Sequence, residues 1–368
     1  MGPLPLATQR AGQAALQARA FPVGITPKDF FSHGERVRAL LARLVNADAE
    51  RIAFIPNVAN GMAIVAKNMS PKRGQNVVLL GEQFPSNVYP WRDWRGGGVE
   101  IRTVSAPDAP WSAKLSGARG RATVWNEKIL TSIDANTALV SIEQAHWTDG
   151  TLFDLVAIGS RCREVGAMFV IDATQTVGAM PFDCAEIRPD ALIVHSYKSM
   201  LCNYGLGFAV FSDRFASAKP VEESWLMREG SENFARLVDY QDNYATGMRR
   251  FDTSLRANPT LINMLGASVE LLLEWQPARI RDYLLGIERG FVEVVRAIGF
   301  EVADETERAA NIFGLRLPDT LNAETCRAAL ASERIHVSVR GSAIRISPHV
   351  YNDASDLERL AMVLKRMS

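Results

Sequence analysis

The fold of this chain is predicted most directly from residues 170–210, which read VIDATQTVGAMPFDCAEIRPDALIVHSYKSMLCNYGLGFAV. Two apolar runs of strand length, 167–171 and 191–194, begin in or beside this segment. Asp172 follows the first run, and the second run leads through three residues into Lys198. In an open sheet of parallel strands, ligands bind beyond the carboxyl ends of the strands. We therefore expect the Asp172 carboxylate and the Lys198 amine to face the same crevice.

An acid and an amine in one crevice suit a particular chemistry. A lysine amine forms a Schiff base with an aldehyde cofactor, and a carboxylate keeps a pyridine nitrogen protonated so that the ring withdraws electrons. Gln175 follows Asp172 closely enough to reach the same ligand. The alternative is that Asp172 is a solvated carboxylate and Lys198 a surface amine.

Composition restricts the class of protein. The chain has 368 residues, of which 47% are hydrophobic and 22% charged, and this size favours two domains. Basic and acidic residues both number 41, so nothing predicts a nucleic-acid partner. The beginning of the chain lacks the pattern of a signal peptide, and no apolar run approaches the roughly 18 residues of a membrane span. We expect neither secretion nor membrane insertion.

The cysteines and histidines predict neither a disulfide nor a metal site. The four cysteines are scattered without a C-x-x-C pair, which favours free thiols in a reducing compartment. The five histidines show no metal-ligand spacing with one another or with the cysteines. We therefore expect a cytoplasmic protein without a metal.

A short strand, a turn at Pro56-Asn57 and a helix from about Val58 predict an anion site. The unpaired N–H groups and the dipole at the start of a helix attract phosphate. Asn57, Val58 and Ala59 are therefore candidate phosphate ligands. An ordinary capped helix is the alternative.

Two more strand exits contribute aromatic candidates. Phe84 stands at the turn after the buried run 76–81, where its face can stack on a pyridine ring, although phenylalanine cannot transfer protons. The buried run 138–142 leads to His146 and Trp147, either of which would line the substrate side of a ring. The sequence does not decide between them, and plain core packing is the alternative for the aromatic residues.

These motifs resemble the class V aminotransferase family, which includes cysteine desulfurases, selenocysteine lyases, kynureninases and isopenicillin N epimerase-like enzymes. The resemblance covers nearly the whole chain. Its specific segments are Asp172-Ala173-Thr174-Gln175, Ser196-Tyr197-Lys198 and the sequence from Arg345 through Ser347 to Tyr351-Asn352. Four positions depart from the family pattern: Ala59 replaces a threonine, Phe84 a ring-stacking histidine, Cys202 a glycine and Asn203 a proline.

The resemblance implies an α/β fold, that of the fold type I enzymes that use pyridoxal 5'-phosphate. Such a fold has a large domain with a seven-stranded, mostly parallel sheet and a smaller C-terminal α+β domain. We predict the large domain at residues 15–257 and the small one at residues 258–368, joined by residues 1–14. The resemblance also implies a homodimer with its active sites at the interface.

The resemblance assigns roles to individual residues. Lys198 would hold the cofactor and shuttle protons, and Asp172 would pair with the ring nitrogen. The implied cofactor-binding set is Asn57, Val58, Ala59, Phe84, Asp172, Gln175, His195, Tyr197 and Lys198. Gln175 would contact the phenolic oxygen, and His195 and Tyr197 the phosphate.

Further roles concern the substrate and a partner subunit. Arg345 would grip the substrate carboxylate, since a guanidinium donates two parallel hydrogen bonds to a carboxylate, although a structural ion pair is the alternative. Either His146 or Trp147 would complete the substrate side. Arg250, Ser254 and Arg256 would contact the cofactor phosphate of the partner subunit, the alternative being a solvated arginine pair.

The sequence leaves the reaction open among transamination, β-elimination and epimerisation at an amino acid. A rival hypothesis is a non-catalytic cofactor-binding relative, which the losses at Ala59 and Cys202 favour. We do not expect a persulfide-forming cysteine desulfurase. That reaction needs a thiolate shortly before the carboxylate-binding arginine, and residues 336–344 contain no cysteine.

Overall fold

The computed structural model describes residues 1–112, 119–340 and 343–367 of the chain. The α-helices span Leu6–Arg19, Asp29–Leu44, Val58–Lys67, Tyr89–Arg92, Arg121–Ser132, Leu155–Val165, Cys184–Ile187, Pro259–Trp275, Pro277–Ala297, Ala323–Ser332 and Ala354–Met367. The strands are β1 (Ile52–Ile55), β2 (Asn76–Leu80), β3 (Glu100–Val104), β4 (Thr137–Glu143), β5 (Met168–Asp172), β6 (Ala191–His195), β7 (Gly207–Phe211), β8 (Phe313–Arg316), β9 (Ser338–Arg340) and β10 (Ala343–Ile346). Within these described ranges, no helix is both long and apolar enough to cross a membrane.

Seven strands form one sheet in the order β1-β7-β6-β5-β4-β2-β3. The pairs from β6 to β3 are parallel, whereas β7 runs antiparallel to both of its neighbours. The predicted seven-stranded, mostly parallel sheet is therefore confirmed. Because every strand except β7 points the same way, the carboxyl ends of β1, β2, β4, β5 and β6 lie at one edge of the sheet.

Both faces of this sheet are buried, which explains the continuous apolar runs in its sequence. Along β5, Phe169 and Ile171 pack into one hydrophobic cluster, and Met168 and Val170 pack into another on the opposite face. The same alternation continues along β6. A strand with two buried faces cannot show the polar alternation of a surface strand, so only its length and flanking residues identify it.

A second sheet of three antiparallel strands, in the order β8-β10-β9, lies near the end of the chain. We call it the C-terminal sheet. Its own hydrophobic cluster begins at Phe291 and includes Ile344 and Leu364. Helix Pro259–Trp275 instead contributes Leu265 to the core of the large sheet. The predicted division between residues 257 and 258 stays a prediction.

A buried ionic cluster fixes β1 against the helix Asp29–Leu44. One carboxylate oxygen of Asp252 accepts the N–H of Phe54 in β1 at 2.9 Å. The other lies 2.7 Å from Nη2 of Arg38 and 3.0 Å from Nε of Arg256. The two arginines and the aspartate are all at most 2% exposed. Asp252 therefore pairs with two guanidinium groups that water does not reach, and the half-buried Glu35 adds a second carboxylate beside both of them.

We expect Asp252→Asn to lower the free energy of unfolding by about 3–5 kcal/mol, because it removes the fully buried carboxylate and leaves two buried guanidinium groups with only the half-buried Glu35 as a described carboxylate partner. Urea denaturation monitored by circular dichroism measures this loss. Asp213→Asn is the matched control, since Asp213 pairs with Arg51 at the surface and its side chain is 81% exposed. Such a surface pair contributes about 0–1 kcal/mol. Equal effects of the two substitutions would contradict a structural role for the cluster.

Candidate active site

The site begins with two carboxyl groups at the ends of neighbouring strands. Glu143 ends β4 and Asp172 ends β5, and the two residues lie opposite each other in the parallel register. Oδ1 of Asp172 accepts the N–H of Thr174 at 2.9 Å, and Oδ2 accepts a hydrogen bond from Nδ2 of Asn87 at 3.0 Å. Asp172 is buried, and its two hydrogen bonds fix the carboxylate in one orientation.

Glu143 connects two turns that border the crevice. Its Oε1 accepts the N–H of Phe84 at 3.2 Å, and its Oε2 accepts the N–H of Trp147 at 2.8 Å. Burial, reinforced by the neighbouring charge of Asp172, raises the pKa of Glu143 to about 8. Glu143 is thus a buried carboxyl group that holds both aromatic residues by their backbones. No motif in the sequence singles out Glu143.

Lys198 lies in the loop after β6, with its amine over two aromatic rings. Nζ is 5.4 Å from the centre of the Phe84 ring and 5.6 Å from that of Tyr197. Burial lowers the pKa of Lys198, the charge of Asp172 opposes this shift, and Arg345 adds to it. A lowered pKa makes the neutral, nucleophilic amine more abundant. This is the property that Schiff-base formation needs.

The backbone next to Lys198 is held from two sides. The Ser199 hydroxyl donates to the carbonyl of Val177 at 2.8 Å, and the Ser199 carbonyl lies 3.0 Å from Nε2 of His349. Nδ1 of His349 accepts the N–H of Val350, so Nε2 carries the proton and donates to Ser199. Gly178, with φ of +101°, permits the close approach, since a Cβ there would lie 2.9 Å from the Ser199 carbonyl.

The candidate phosphate ligands offer unused hydrogen-bond donors at the same edge of the sheet. Oδ1 of Asn57 accepts the N–H of Asn60 at 2.9 Å and so caps the helix Val58–Lys67. In the described part of the chain, the N–H groups of Val58 and Ala59 have no acceptor. The ring nitrogens of His195 are buried; the Pro56 carbonyl lies within reach of one of them, and the other has no partner in the described part of the chain. These unsatisfied groups fit a phosphate.

His195 belongs to an aromatic cluster with Tyr197 and Tyr204. Its ring centre lies 4.6 Å from that of Tyr197 and 4.8 Å from that of Tyr204. Burial lowers the pKa of His195 to about 4, so the ring is neutral. Gln175 lies nearby in sequence, and its backbone carbonyl accepts a hydrogen bond from Asn311 at 2.6 Å. The role of the Gln175 side chain stays a prediction.

Of the two residues proposed for the substrate side, the structure favours Trp147. His146 is 1% exposed, its ring nitrogens lie 2.6 Å from the Thr148 hydroxyl and 3.0 Å from the Gly81 carbonyl, and the ring packs into the core. The Trp147 ring instead meets the Phe84 ring edge to face at 5.7 Å. The hydrogen bonds of the His146 ring are therefore made within the core, whereas the Trp147 ring lies beside the Phe84 ring, over which the Lys198 amine lies.

Arg345 reaches this site from the C-terminal sheet. Its Nη1 donates to the backbone carbonyl of Trp147 at 2.7 Å. Its Nε is buried and has no partner in the described part of the chain. Burial, together with the charge of Arg340, lowers the pKa of Arg345 to about 10. The guanidinium thus retains unused donor capacity next to Lys198, which suits the carboxylate contact predicted from the sequence.

The three residues proposed to reach the partner subunit occupy different surroundings. The Arg250 guanidinium lies 5.4 Å from the centre of the Tyr244 ring, and Ser254 is exposed. Arg256 is 2% exposed and belongs to the ionic cluster around Asp252. Arg256 is therefore engaged within its own chain. The contact with the partner's phosphate stays a prediction.

Comparisons with other proteins identify the family and the fold. The profile of the family described as Aminotransferase class-V matches residues 26–360. An uncharacterized aminotransferase of Schizosaccharomyces pombe is 24% identical over 90% of this chain and 81% of its own length. A probable cysteine desulfurase of Methanothermobacter thermautotrophicus is 24% identical over 91% of this chain and 83% of its own length. The solved apo structure of a cysteine desulfurase from Thermococcus onnurineus has a TM-score of 0.81 at 18% identity, and the match covers 99% of this chain and 92% of that one.

The fold and the family match together define a fold type I enzyme that depends on pyridoxal phosphate. The chain belongs to the class-V aminotransferase family. Pyridoxal 5'-phosphate is its cofactor, and its activity is of the aminotransferase or lyase type. The hydrogen-bond donors at Val58, Ala59 and His195 fit the phosphate of that cofactor.

The raised pKa of Glu143 predicts a pH dependence of stability. The pKa of Glu143 is about 8 in the folded chain and about 4.3 in the unfolded chain. At a pH between these two values, Glu143 is therefore protonated in the folded chain and ionised in the unfolded chain. The free energy of unfolding therefore falls as the pH rises through this window. We expect the cofactor-free wild type to lose a few kcal/mol relative to Glu143→Gln between about pH 5 and pH 8, because glutamine binds no proton.

Urea denaturation at several pH values measures this difference. We also expect a difference in the free energy of unfolding that does not vary with pH. In the variant, the glutamine NH₂ group faces a backbone N–H whose hydrogen bond the carboxylate of the wild type accepts. Glu324→Gln, which removes an exposed carboxyl group, serves as the control. A wild-type minus Glu143→Gln difference that does not vary with pH would show that Glu143 is ionised throughout.

Proposed function

We propose that this enzyme acts at the α-amino group of an amino acid, as a transaminase or as a lyase that breaks a bond at Cβ. The observation that carries the proposal is the buried amine of Lys198. It lies over the Phe84 ring, its pKa is lowered by burial, and the carboxylate of Asp172 acts on it electrostatically. Such an amine can bind the aldehyde of a cofactor. Once the amino group of a substrate has taken its place on the aldehyde, the free amine can exchange protons with the substrate.

Pyridoxal phosphate supplies an electron-withdrawing ring in conjugation with the amino group of the substrate. Asp172 would hold the ring nitrogen, and Asn87 and Thr174 prevent its carboxylate from turning away. Phe84 would stack on one face of the ring. Its position is fixed by the hydrogen bond from its N–H to Glu143.

The phosphate would be held by neutral groups. The helix Val58–Lys67 offers the N–H groups of Val58 and Ala59, and His195 offers a ring nitrogen that its low pKa keeps uncharged. Tyr197 packs against His195 and would add a hydroxyl donor. A helix dipole and neutral donors bind a dianion without a lysine, which leaves Lys198 free for the reaction.

On the substrate side, Arg345 would bind the α-carboxylate through the donors that the Trp147 carbonyl leaves unused. This places the α-carbon between the Trp147 side of the crevice and Lys198. Gln175 would contact the phenolic oxygen of the cofactor. Lys198, released from the cofactor when substrate binds, would then take and return the α-proton.

We also propose a cytoplasmic homodimer. Residues 221–240 expose several large apolar side chains, among them Trp225 at 41%, Val238 at 75% and Tyr240 at 90%. Contact with a second copy of the chain would cover them. Such an interface would also bring Arg250 and Ser254 close to the site of the other subunit.

The chain lacks the thiol that a persulfide-forming reaction needs, so we propose that it is not a cysteine desulfurase of that kind. Burial raises the pKa of Cys202, the cysteine nearest Lys198 in sequence, to about 11. Cys326 is fully buried in the helix Ala323–Ser332. A buried thiol with a raised pKa is a poor nucleophile. Elimination of a sulfur group without a protein thiol remains compatible with the site.

We expect borohydride to fix the cofactor on Lys198, because an imine between a lysine and an aldehyde is reducible. Peptide mass spectrometry locates the label, and Lys198→Ala should abolish it. Lys67→Ala is the matched control, since the Lys67 amine donates to the Pro220 carbonyl outside the site. A label on any other lysine would contradict the assignment of Lys198.

The proposed reaction is tested by incubating the holoenzyme with each of the twenty amino acids. Keto acid, ammonia and sulfide are assayed, and the visible spectrum of the bound cofactor is recorded. We expect at least one amino acid to shift the spectrum and release product. With cysteine, intact mass should show no persulfide, and Cys202→Ser should behave as the wild type. Spectral silence with every amino acid would refute the enzymatic proposal, and a persulfide would overturn the exclusion.

A further inference from the structure

Two arginines of the C-terminal sheet project from the same face of one hairpin. In the register of β9 and β10, Arg340 lies opposite Ala343, and Arg345 lies opposite Ser338. Directly opposed residues share a face, and so do residues two apart along a strand. Arg340 and Arg345 are therefore diagonal neighbours on one face. Like charges at such positions repel each other unless an anion lies between them.

Both arginines contact the same residue of the active site. Arg345 donates to the Trp147 carbonyl at 2.7 Å, and the Arg340 guanidinium lies 4.9 Å from the centre of the Trp147 ring. The Trp147 ring in turn contacts Phe84, over which Lys198 lies. The two guanidinium groups thus belong to the site that contains Lys198.

Among the residues that the structure describes, neither arginine has an acidic partner. Nη1 of Arg340 donates only to its own strand, at the Val339 carbonyl, and Nε of each arginine is buried without a hydrogen bond in the described part of the chain. No ion pair joins either of these half-buried residues to a described carboxylate, whereas the fully buried arginines Arg38, Arg256 and Arg308 each have one. Burying a cation without a counterion raises the free energy of the folded chain. A bound anion would offset this increase.

The acids of the site are already committed. Both oxygens of Asp172 and both oxygens of Glu143 accept hydrogen bonds from the large domain. Asp172 also serves the cofactor ring in the proposed function. The α-carboxylate of an amino acid neutralises one guanidinium, and the second remains without a counterion.

We propose that the substrate carries a second anionic group in its side chain, which Arg340 binds while Arg345 binds the α-carboxylate. This inference rests on the proposed function and names its substrate class, amino acids with an anionic side chain. A guanidinium donates in parallel to a carboxylate, a sulfinate or a phosphate, and these share the chemistry of a planar or tetrahedral oxyanion. Trp147 would position the Arg340 guanidinium by stacking beneath it.

The test measures binding of unreactive ligands to the holoenzyme by isothermal titration calorimetry. Glutarate and succinate carry two carboxylates, and butyrate and propionate are their single-carboxylate counterparts. We expect the dicarboxylates to bind at least about 10-fold more tightly, since a charge-assisted contact contributes about 1.5–3 kcal/mol. 3-Sulfopropionate and 3-phosphonopropionate in further arms distinguish which second anion fits best.

Arg340→Gln should remove the preference for dicarboxylates, a loss of about 10- to 100-fold, and leave binding of the monocarboxylates unchanged. Arg340→Lys keeps the charge but loses the fork, so it should retain part of the preference. Arg327→Gln is the matched control, because Arg327 is exposed on the helix Ala323–Ser332 and pairs only with Glu324. Circular dichroism verifies that each variant is folded.

Two results would overturn the inference. If Arg340→Gln weakens monocarboxylates and dicarboxylates equally, both arginines grip a single carboxylate. If wild type shows no preference for dicarboxylates, Arg340 is not a substrate ligand. Failure of the proposed function would give a different result. No amino acid would then shift the cofactor spectrum, although calorimetry would still show the preference for dicarboxylates.

Discussion

The hydrogen bonds accepted by two strand-end carboxyl groups organise the whole site. The parallel register places Glu143 beside Asp172, and each carboxyl group accepts donors from turns that follow other strands. Through Glu143 the turn with Phe84 and the loop with Trp147 are bound to one point. Through Asn87 the same turn is bound to Asp172. Loops that differ widely in sequence position are therefore fixed by the sheet edge itself.

Charge is divided between the two sheets. The large sheet supplies the acids and the neutral phosphate donors, and the C-terminal sheet supplies Arg340 and Arg345. In the proposed function the large sheet would tune the cofactor, and the two arginines of the C-terminal sheet would recognise the substrate. The two tasks would then belong to different parts of the fold.

The sequence predicted what depends on strand ends and local motifs. The sheet, Asp172 and Lys198 follow from apolar runs with polar residues after them, and both ends lie at one edge as expected. The hydrogen bond from Phe84 to Glu143 spans 59 residues, so no local pattern reveals it. His146 and Trp147 lie after a strand has ended, where the two-residue alternation of faces no longer applies. The burial of Arg256 likewise depends on Asp252 and Arg38, which only the folded chain brings together.

The hydrogen bond from His349 to the Ser199 carbonyl joins the region after the C-terminal sheet to the residue that follows Lys198. Burial lowers the pKa of His349 to about 4, so the bond persists as a neutral contact across the physiological pH range. A rigid-body swing of the C-terminal sheet about a hinge would break this bond and the one from Arg345 to Trp147, at a cost of about 1–3 kcal/mol for each buried group left unpaired. The two bonds therefore oppose rotation of the C-terminal sheet away from Lys198, and they hold the backbone that follows this lysine in place.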